Sequence, residues 1–289
     1  MSNKFSVVLR VKNEERWIGH SLQSVLDKVP NNEVIIIDNN STDRSLEIAS
    51  FFKKNVSLED EGSNYTDVKI FNINEYSPGK ALNLGVAQSC NENIIFLSSH
   101  CILKSFNEDY IMDKLNDYDA IFGKQIPIYE GKRITPRYIW SHFSDSEVEN
   151  MYSELEKRYF FHNAFSVTKK SILEKYPFDE ELTGKEDRYW AEEIVNKGLK
   201  TLYTPELVCD HHYTSNGNTW KGVGWFKMKI DYVVCTTDIQ GKMHGQNNSK
   251  VVGYIISSSE VSSVIGISEV YASTYVPKII EAIVSQIKK

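Results

Sequence analysis

An α/β fold built on a mostly parallel sheet flanked by helices is predicted by three features of the chain. Short β-branched runs recur through the first hundred residues, segments of helical periodicity separate them, and three of the runs end in polar clusters. Strands that read as near-continuous apolar runs suit a sheet covered on both faces.

The elements follow in order. "FSVVLRV" (5–11) is a short strand, and "EERWIGHSLQSVL" (14–26) sets Trp17, Ile18, Leu22, Val25 and Leu26 at helical spacing. "EVIIIDNNSTD" (33–43) is a second strand ending in a polar turn, and "TDRSLEIASFF" opens on helix-capping residues. "VKIFNI" (68–73) and "NIIFLSS" (93–99) supply two more strands, with the helix "GKALNLGVAQSC" between them. Ligands of such sheets collect beyond the carboxyl ends of the strands, which puts "RVKNE", "DNNSTD" and "SSHC" on one rim.

The second half reads differently. "DAIFGKQIPIY" (119–129) is expected to be a strand, "DSEVENMYSELEKRY" (145–159) an acidic helix, and "FFHNAFSVTKKSILEKYPFDEEL" a strand then a helix stopped near Pro177. Trp190, Ala191 and Ile194 give "GKEDRYWAEEIVNKG" an inward face, and the last segment carries another at Ile279, Ile280, Ile283, Val284 and Ile287. The expected organisation is a catalytic domain over 1–215, halved near residue 103, with a C-terminal extension over 216–289. That tail is expected to pack on the domain, to form a homodimer contact or to touch the membrane peripherally, the few basic residues before Lys288 and Lys289 favouring the first two.

At 289 residues, with 41% hydrophobic and 25% charged, the chain buries a sizeable core. A net charge of −6 excludes dependence on a basic surface for nucleic acid or an anionic membrane. No charged-then-apolar leader opens the sequence, and no apolar run reaches the roughly 18 residues of a membrane helix. A soluble cytoplasmic protein is expected, working in the cytoplasm or at the inner face of the membrane. Cys90, Cys101, Cys209 and Cys235 lack the spacing of a zinc ribbon or a disulfide framework and read as free thiols.

Each polar cluster has a bland reading beside a functional one. Asp38 ends an apolar strand and suits a base or ribose, while Ser41, Thr42 and Asp43 suit helix capping. Lys80 beside Gly79 at a helix start suits phosphate, although the P-loop spacing is missing. Glu186 and Asp187 begin a helix, where the dipole favours acids, and Asp187 is also a candidate general base. His100, His211 and His212 follow strand-like segments, and imidazoles from separate strand ends can hold a divalent cation.

Taken together these segments resemble the inverting glycosyltransferases of family 2, whose fold is GT-A, a Rossmann-like sheet. The resemblance covers roughly residues 5–214 through "FSVVLRVKNEERWIGHSLQSVL", "EVIIIDNNSTDRSLEI", "GKALNLGVAQSCNENIIFL", "FHNAFSVTKKSILEKYPFDEEL" and "GKEDRYWAEEIVNKG". It implies that the turn from Arg10 to Glu14, with Asn13 inside it, and Asp38 with Asn40 hold the nucleotide. It puts Lys80 near the diphosphate, Asp187 as base and Glu186 as its orienting companion. Where the family carries an Asp-x-Asp motif this chain has Ser98-Ser99-His100, so both expected acids are missing.

Two mechanistic versions follow from that departure. In one, His100 with His211 or His212 holds Mn²⁺ or Mg²⁺, Mn²⁺ being the better match to imidazole. In the other, Lys80, histidines and backbone amides meet the departing charge without a metal. The activity implied is transfer of a sugar from a nucleotide-sugar donor to a hydroxyl of a glycan or lipid-linked acceptor, with inversion, in cell-surface polysaccharide synthesis. The rivals are a non-catalytic nucleotide-sugar-binding subunit and a nucleotidyltransferase; the intact "KEDRYW" speaks against the first, the lack of a glycine-rich phosphate loop against the second.

Overall fold

The computed structural model describes residues 5–30, 32–53, 67–129, 131–133, 142–154, 156–220, 235–237 and 243–245. Two compact units are present, one of Met1–Ile126 with Phe143–His212 and one of Pro127–His142 with Tyr213–Lys289. The expected helix over 275–289 lies outside the described residues.

In chain order the elements are β1 (Phe5–Val11), α1 (Ile18–Lys28), β2 (Asn32–Asp38), α2 (Ser45–Ser50), β3 (Asp67–Asn72), α3 (Pro78–Gln88), β4 (Asn93–Ser98), β5 (Cys101–Ser105), α4 (Glu108–Asp117) and β6 (Ala120–Tyr129). They continue with β7 (Lys132–Arg133), β8 (Val148–Glu149), β9 (Tyr152–Ser153), β10 (Arg158–Tyr159), β11 (Phe165–Lys169), α5 (Lys170–Lys175), α6 (Glu186–Asn196) and β12 (Thr201–His212). In the second unit β13 (Cys235–Thr237) pairs antiparallel with β14 (Met243–Gly245).

The main sheet has the order β3-β2-β1-β4-β11-β6-β12-β5. Its first four strands are parallel, as the strand–helix alternation predicts. Every residue of β2 is buried, the mark of a strand covered on both faces. Register brings the polar ends together: Arg10 lies opposite both Ile37 and Ser98, and Val11 opposite Asp38. The rim inferred from sequence therefore exists. Beyond β4, strand β11 runs antiparallel, and β12 pairs antiparallel with β5 so that His211 faces Cys101.

Helix α1 starts at Ile18, later than its periodicity suggests, because Glu14 O takes the N–H groups of Trp17 and Ile18 in a turn. Helix α3 starts at Pro78, capped by Ser77 Oγ, which accepts the Lys80 N–H at 3.1 Å. Gly79 is required by crowding, since a Cβ there would lie 2.2 Å from Asp179 O.

The acidic helix expected over 145–159 does not form. Its place is taken by β8, β9 and β10, with Asn150 and Lys157 at φ 45° and 54°. Buried Met151 and Ser153 alternate with exposed Tyr152 and Glu154, a strand period that the charged residues obscured. Its glutamates bond outward to other elements, Glu147 to Lys114 at 3.0 Å and Glu156 to Arg188 at 3.2 Å.

Candidate active site

The first part of the rim is sewn together by backbone geometry. Asn13 and Asn40 both adopt φ 51°, a conformation asparagine tolerates. Asn13 N donates to Ser41 Oγ at 3.0 Å, and Thr42 N donates back to Asn13 Oδ1 at 2.7 Å. Asn40 Nδ2 reaches Ile73 O at 3.2 Å. Asp38 is 1% exposed, and its carboxylate takes Ser41 N–H at 3.0 Å and Ser41 Oγ–H at 2.5 Å. The Asp43 carboxylate takes the Ser45 and Glu15 N–H groups at 2.9 Å and so ties the turn before α2 to the Asn13–Glu15 loop, while the N-cap position itself is Arg44. Burial raises the Asp43 pKa and these hydrogen bonds, Ser45 first, more than reverse that, so it sits below its ordinary value.

The second part is the turn between β4 and β5. Ser98 N donates to Ala164 O at 3.0 Å and Ser99 Oγ to Arg10 O at 3.0 Å, so both serines fasten backbone. His100 and His211 meet with their Nε2 atoms 3.1 Å apart. His211 Nδ1 lies 2.7 Å from Gln125 Oε1 and His100 Nδ1 lies 3.3 Å from Glu14 Oε1, near enough for an ion pair but poorly aligned for a hydrogen bond. With His211 Nδ1–H on Gln125 Oε1, the His211 Nε2 lone pair faces His100 Nε2, an arrangement met either by a His100 Nε2–H donating across the pair or by a cation held between the two nitrogens. His212 does not join them: successive strand residues point to opposite faces, and its ring stacks on Trp17 at 4.1 Å.

The residues fit a divalent cation in a limited way. Two cis imidazoles on one cation lie about 3 Å apart for bonds of about 2.1 Å, which the His100–His211 spacing matches. No group of three or more His, Cys, Asp or Glu that could hold a metal exists among the described residues. The remaining positions would belong to substrate oxygens or water.

The third part is the start of α6. Glu186 accepts from Arg10 Nη1 at 2.8 Å, joining α6 to the end of β1. Burial alone would lower the Arg10 pKa, and the Glu186 carboxylate overcomes this and raises it. Arg10, expected from the sequence in the nucleotide's turn, is thus paired with Glu186 through one of its five N–H donors. Asp187 Oδ1 takes the Arg188 N–H at 2.9 Å and Nη1–H at 2.8 Å, and Oδ2 takes the Asn163 N–H at 3.1 Å. A carboxylate offers about four lone pairs, so one on Oδ2 is left for a further donor. Burial raises the Asp187 pKa; the Arg188 guanidinium, with the hydrogen bonds, outweighs it and holds the group below its ordinary value. Asp187 is ionised at neutral pH.

Lys80 lies in the first turn of α3, whose Pro78 O is 3.4 Å from Arg10 Nη1. Its Nζ is 3.5 Å from Glu75 Oε2, and it lines a surface groove with Ile73, Asn74, Asn83, Leu84 and Glu180. The site also contains residues that the sequence reading did not single out: Arg188, Asn163, Gln125 and His162. The polar pair His162-Asn163 inside the aromatic run "FFHNAF" is the same signal that drew attention to "SSHC".

A sheet whose parallel half ends in this rim, with antiparallel strands completing it, is the architecture of GT-A glycosyltransferases. Similar solved structures include Staphylococcus aureus TarS 1-349 in complex with UDP-GlcNAc, at TM-score 0.55 and 20% identity over 75% of this chain and 61% of that one. Another is the Pyrobaculum calidifontis mannosyltransferase in complex with GDP-Man and Mn²⁺, at 0.52 and 15% over 75% and 59%. The model of glycosyl transferase family 2 matches residues 6–177, and the chain belongs to that family. A GalNAc(5)-diNAcBac-PP-undecaprenol β-1,3-glucosyltransferase of Campylobacter jejuni is 28% identical over 65% of this chain and 59% of its own length. The O-antigen chain rhamnosyltransferase WbaN of Salmonella anatum is 23% identical over 63% and 58%. The chain therefore spans under two thirds of these relatives.

Proposed function

We propose that the enzyme transfers a sugar from a nucleotide-sugar donor to a hydroxyl of a glycan or lipid-linked acceptor, with inversion at the anomeric carbon. The observation that carries this reading is the ionised Asp187, held by three donors with one Oδ2 lone pair remaining. That lone pair takes the acceptor proton as the acceptor oxygen bonds to the anomeric carbon. On the opposite face the bond to the diphosphate oxygen breaks, and the leaving group carries away its electron pair. Glu186 and Arg10 fix the start of α6 and so aim the base.

Asp38, with Asn13 and Asn40 shaping the turns around it, binds the nucleoside, where a base or ribose reaches its remaining lone pairs. Ser98 and Ser99 contribute by shaping the backbone beneath the leaving group, and Lys80 by its charge from the neighbouring groove. His100 and His211 would hold a divalent cation, whose chemistry is to offset charge on the departing diphosphate. Relatives named for lipid-linked and O-antigen substrates support a role in polysaccharide assembly, and we place that work at the inner face of the membrane. Among the described residues no helix is long and apolar enough to cross it.

Asp187→Asn is the test. Donor affinity should stay within about twofold while transfer falls about 10³-fold, the loss expected for a general base. Transfer at the wild-type rate would remove Asp187 from the mechanism.

A further inference from the structure

His162 is a buried ionisable group to which the transfer mechanism above gives no role. It lies in the segment leading into β11, with Phe143 and His211 ring centroids at 6.2 Å and Phe160 at 6.3 Å. Its Nδ1 accepts the Ala164 N–H at 3.1 Å. A ring nitrogen that accepts a backbone N–H carries no proton, so in the neutral imidazole the proton is on Nε2. An imidazolium bears hydrogen on both nitrogens and could not accept the Ala164 N–H, so this bond holds the ring neutral. Nε2–H takes no protein acceptor among the described residues. The same tautomer bars His162 from the cation: one nitrogen is taken by Ala164 and the other bears hydrogen.

We propose that His162 Nε2–H donates a hydrogen bond to the sugar being transferred, to a hydroxyl or acyl carbonyl oxygen, and so helps choose that sugar. The proposal rests on the transferase reading above. In an in-line displacement the sugar lies between the leaving diphosphate and the attacking oxygen. The first falls to His100 and His211, the second to Asp187. His162 packs on His211, and its neighbour Asn163 donates to Asp187 Oδ2, so a ring bridging the two clusters passes the imidazole. A neutral donor matches the uncharged oxygens of a sugar and leaves diphosphate binding to other groups.

Two substitutions separate the nitrogens. His162→Gln puts an N–H donor near the Nε2 position and gives up the Ala164 bond; His162→Asn can keep an acceptor for Ala164 and loses the distal donor. Calorimetry with UDP-glucose, UDP-N-acetylglucosamine, GDP-mannose and dTDP-rhamnose, each beside its free diphosphate, reads the contribution of the sugar. His162→Asn should weaken the cognate sugar nucleotide about tenfold with diphosphate affinity unchanged, and His162→Gln should stay within about twofold of wild type. Equal affinities in the two variants, or the reverse order, would make His162 a structural cap and overturn the proposal. In ¹⁵N-histidine-labelled wild-type protein the His162 Nε2–H resonance should move with the sugar nucleotide and not with the diphosphate; an unmoved resonance overturns the proposal without any variant. If wild type binds none of the panel, the transferase reading falls and takes this inference with it, whereas diphosphate binding with an unaltered sugar contribution defeats this inference alone.

Discussion

Asp38 and Asp187 are both buried carboxylates of one site, yet they are held in opposite ways. Asp38 is satisfied by Ser41, three residues along the same turn. Asp187 depends on Asn163, 24 residues away, and on Arg188, whose Nε is in turn anchored by Glu156 across 32 residues. Glu186 beside it reaches Arg10 across 176. A carboxylate fixed by its own loop exists as soon as the loop does. One fixed by distant counter-charges exists only in the finished fold, and losing a partner there exposes the others to an apolar interior.

That contrast can be broken or sharpened by experiment. After Asp187→Asn, the largest effect belongs to Arg188→Met. It leaves Asp187 and Glu156 without their shared counter-ion, and their side chains are only 8% exposed. Stability should fall by roughly 3–5 kcal/mol in urea denaturation, the cost typical of breaking a buried pair. Because Arg188 is the main group lowering the Asp187 pKa, any activity that survives should show its acid limb at higher pH. A loss under about 1 kcal/mol would mean that water reaches the cluster.

His162 gives the next effect. Its pKa falls from 6.5 in the unfolded chain to about 3 in the fold. Between those values the unfolded state binds the extra proton, so the stability present above pH 6.5 is lost as pH falls, at about 1.4 kcal/mol per unit. From pH 6.5 to 5 this amounts to about 2 kcal/mol. The slope of unfolding free energy against pH should be shallower by that amount in His162→Gln; identical slopes would show that the ring is protonated in the fold.

Asp38→Ala should cost less, roughly 1–2 kcal/mol in nucleotide affinity, with little change in the midpoint of unfolding. An equally large drop in stability would erase the difference between the two carboxylates. The smallest effect is that of Glu14→Gln. Weakening the carboxylate behind His100 should reduce Mn²⁺ affinity about tenfold, as loss of an outer-shell partner does. Activity indifferent to Mn²⁺ and to chelation in both proteins would favour the version in which histidines and Lys80 act without a metal.

Legibility in the sequence followed the range of the interactions. The four parallel strands and the helices between them rest on runs and spacings within about a dozen residues, and they form in the predicted order, with α1 starting a turn later than its periodicity suggests. Asp38, Asp187 and His100 were found because an ionisable residue at an apolar strand end or an acid at a helix start is visible locally. The 145–159 segment was misread because its glutamates mimic a helical surface while bonding to distant lysines and arginine. His162 and Arg188 were missed because their local contexts, an aromatic run and an amphipathic helix, already had sufficient explanations.

By itself the sequence determined the fold class, the family resemblance and the strand ends that share a rim, because these depend on patterns repeated at short range. Only the tertiary structure decided which groups meet. It paired His100 with His211 and turned His212 away, since neighbouring strand residues face opposite sides. It paired Arg10 with Glu186 and set Asp187 between donors from Asn163 and Arg188, since the burial of charge is compensated by whatever partner the packing brings near.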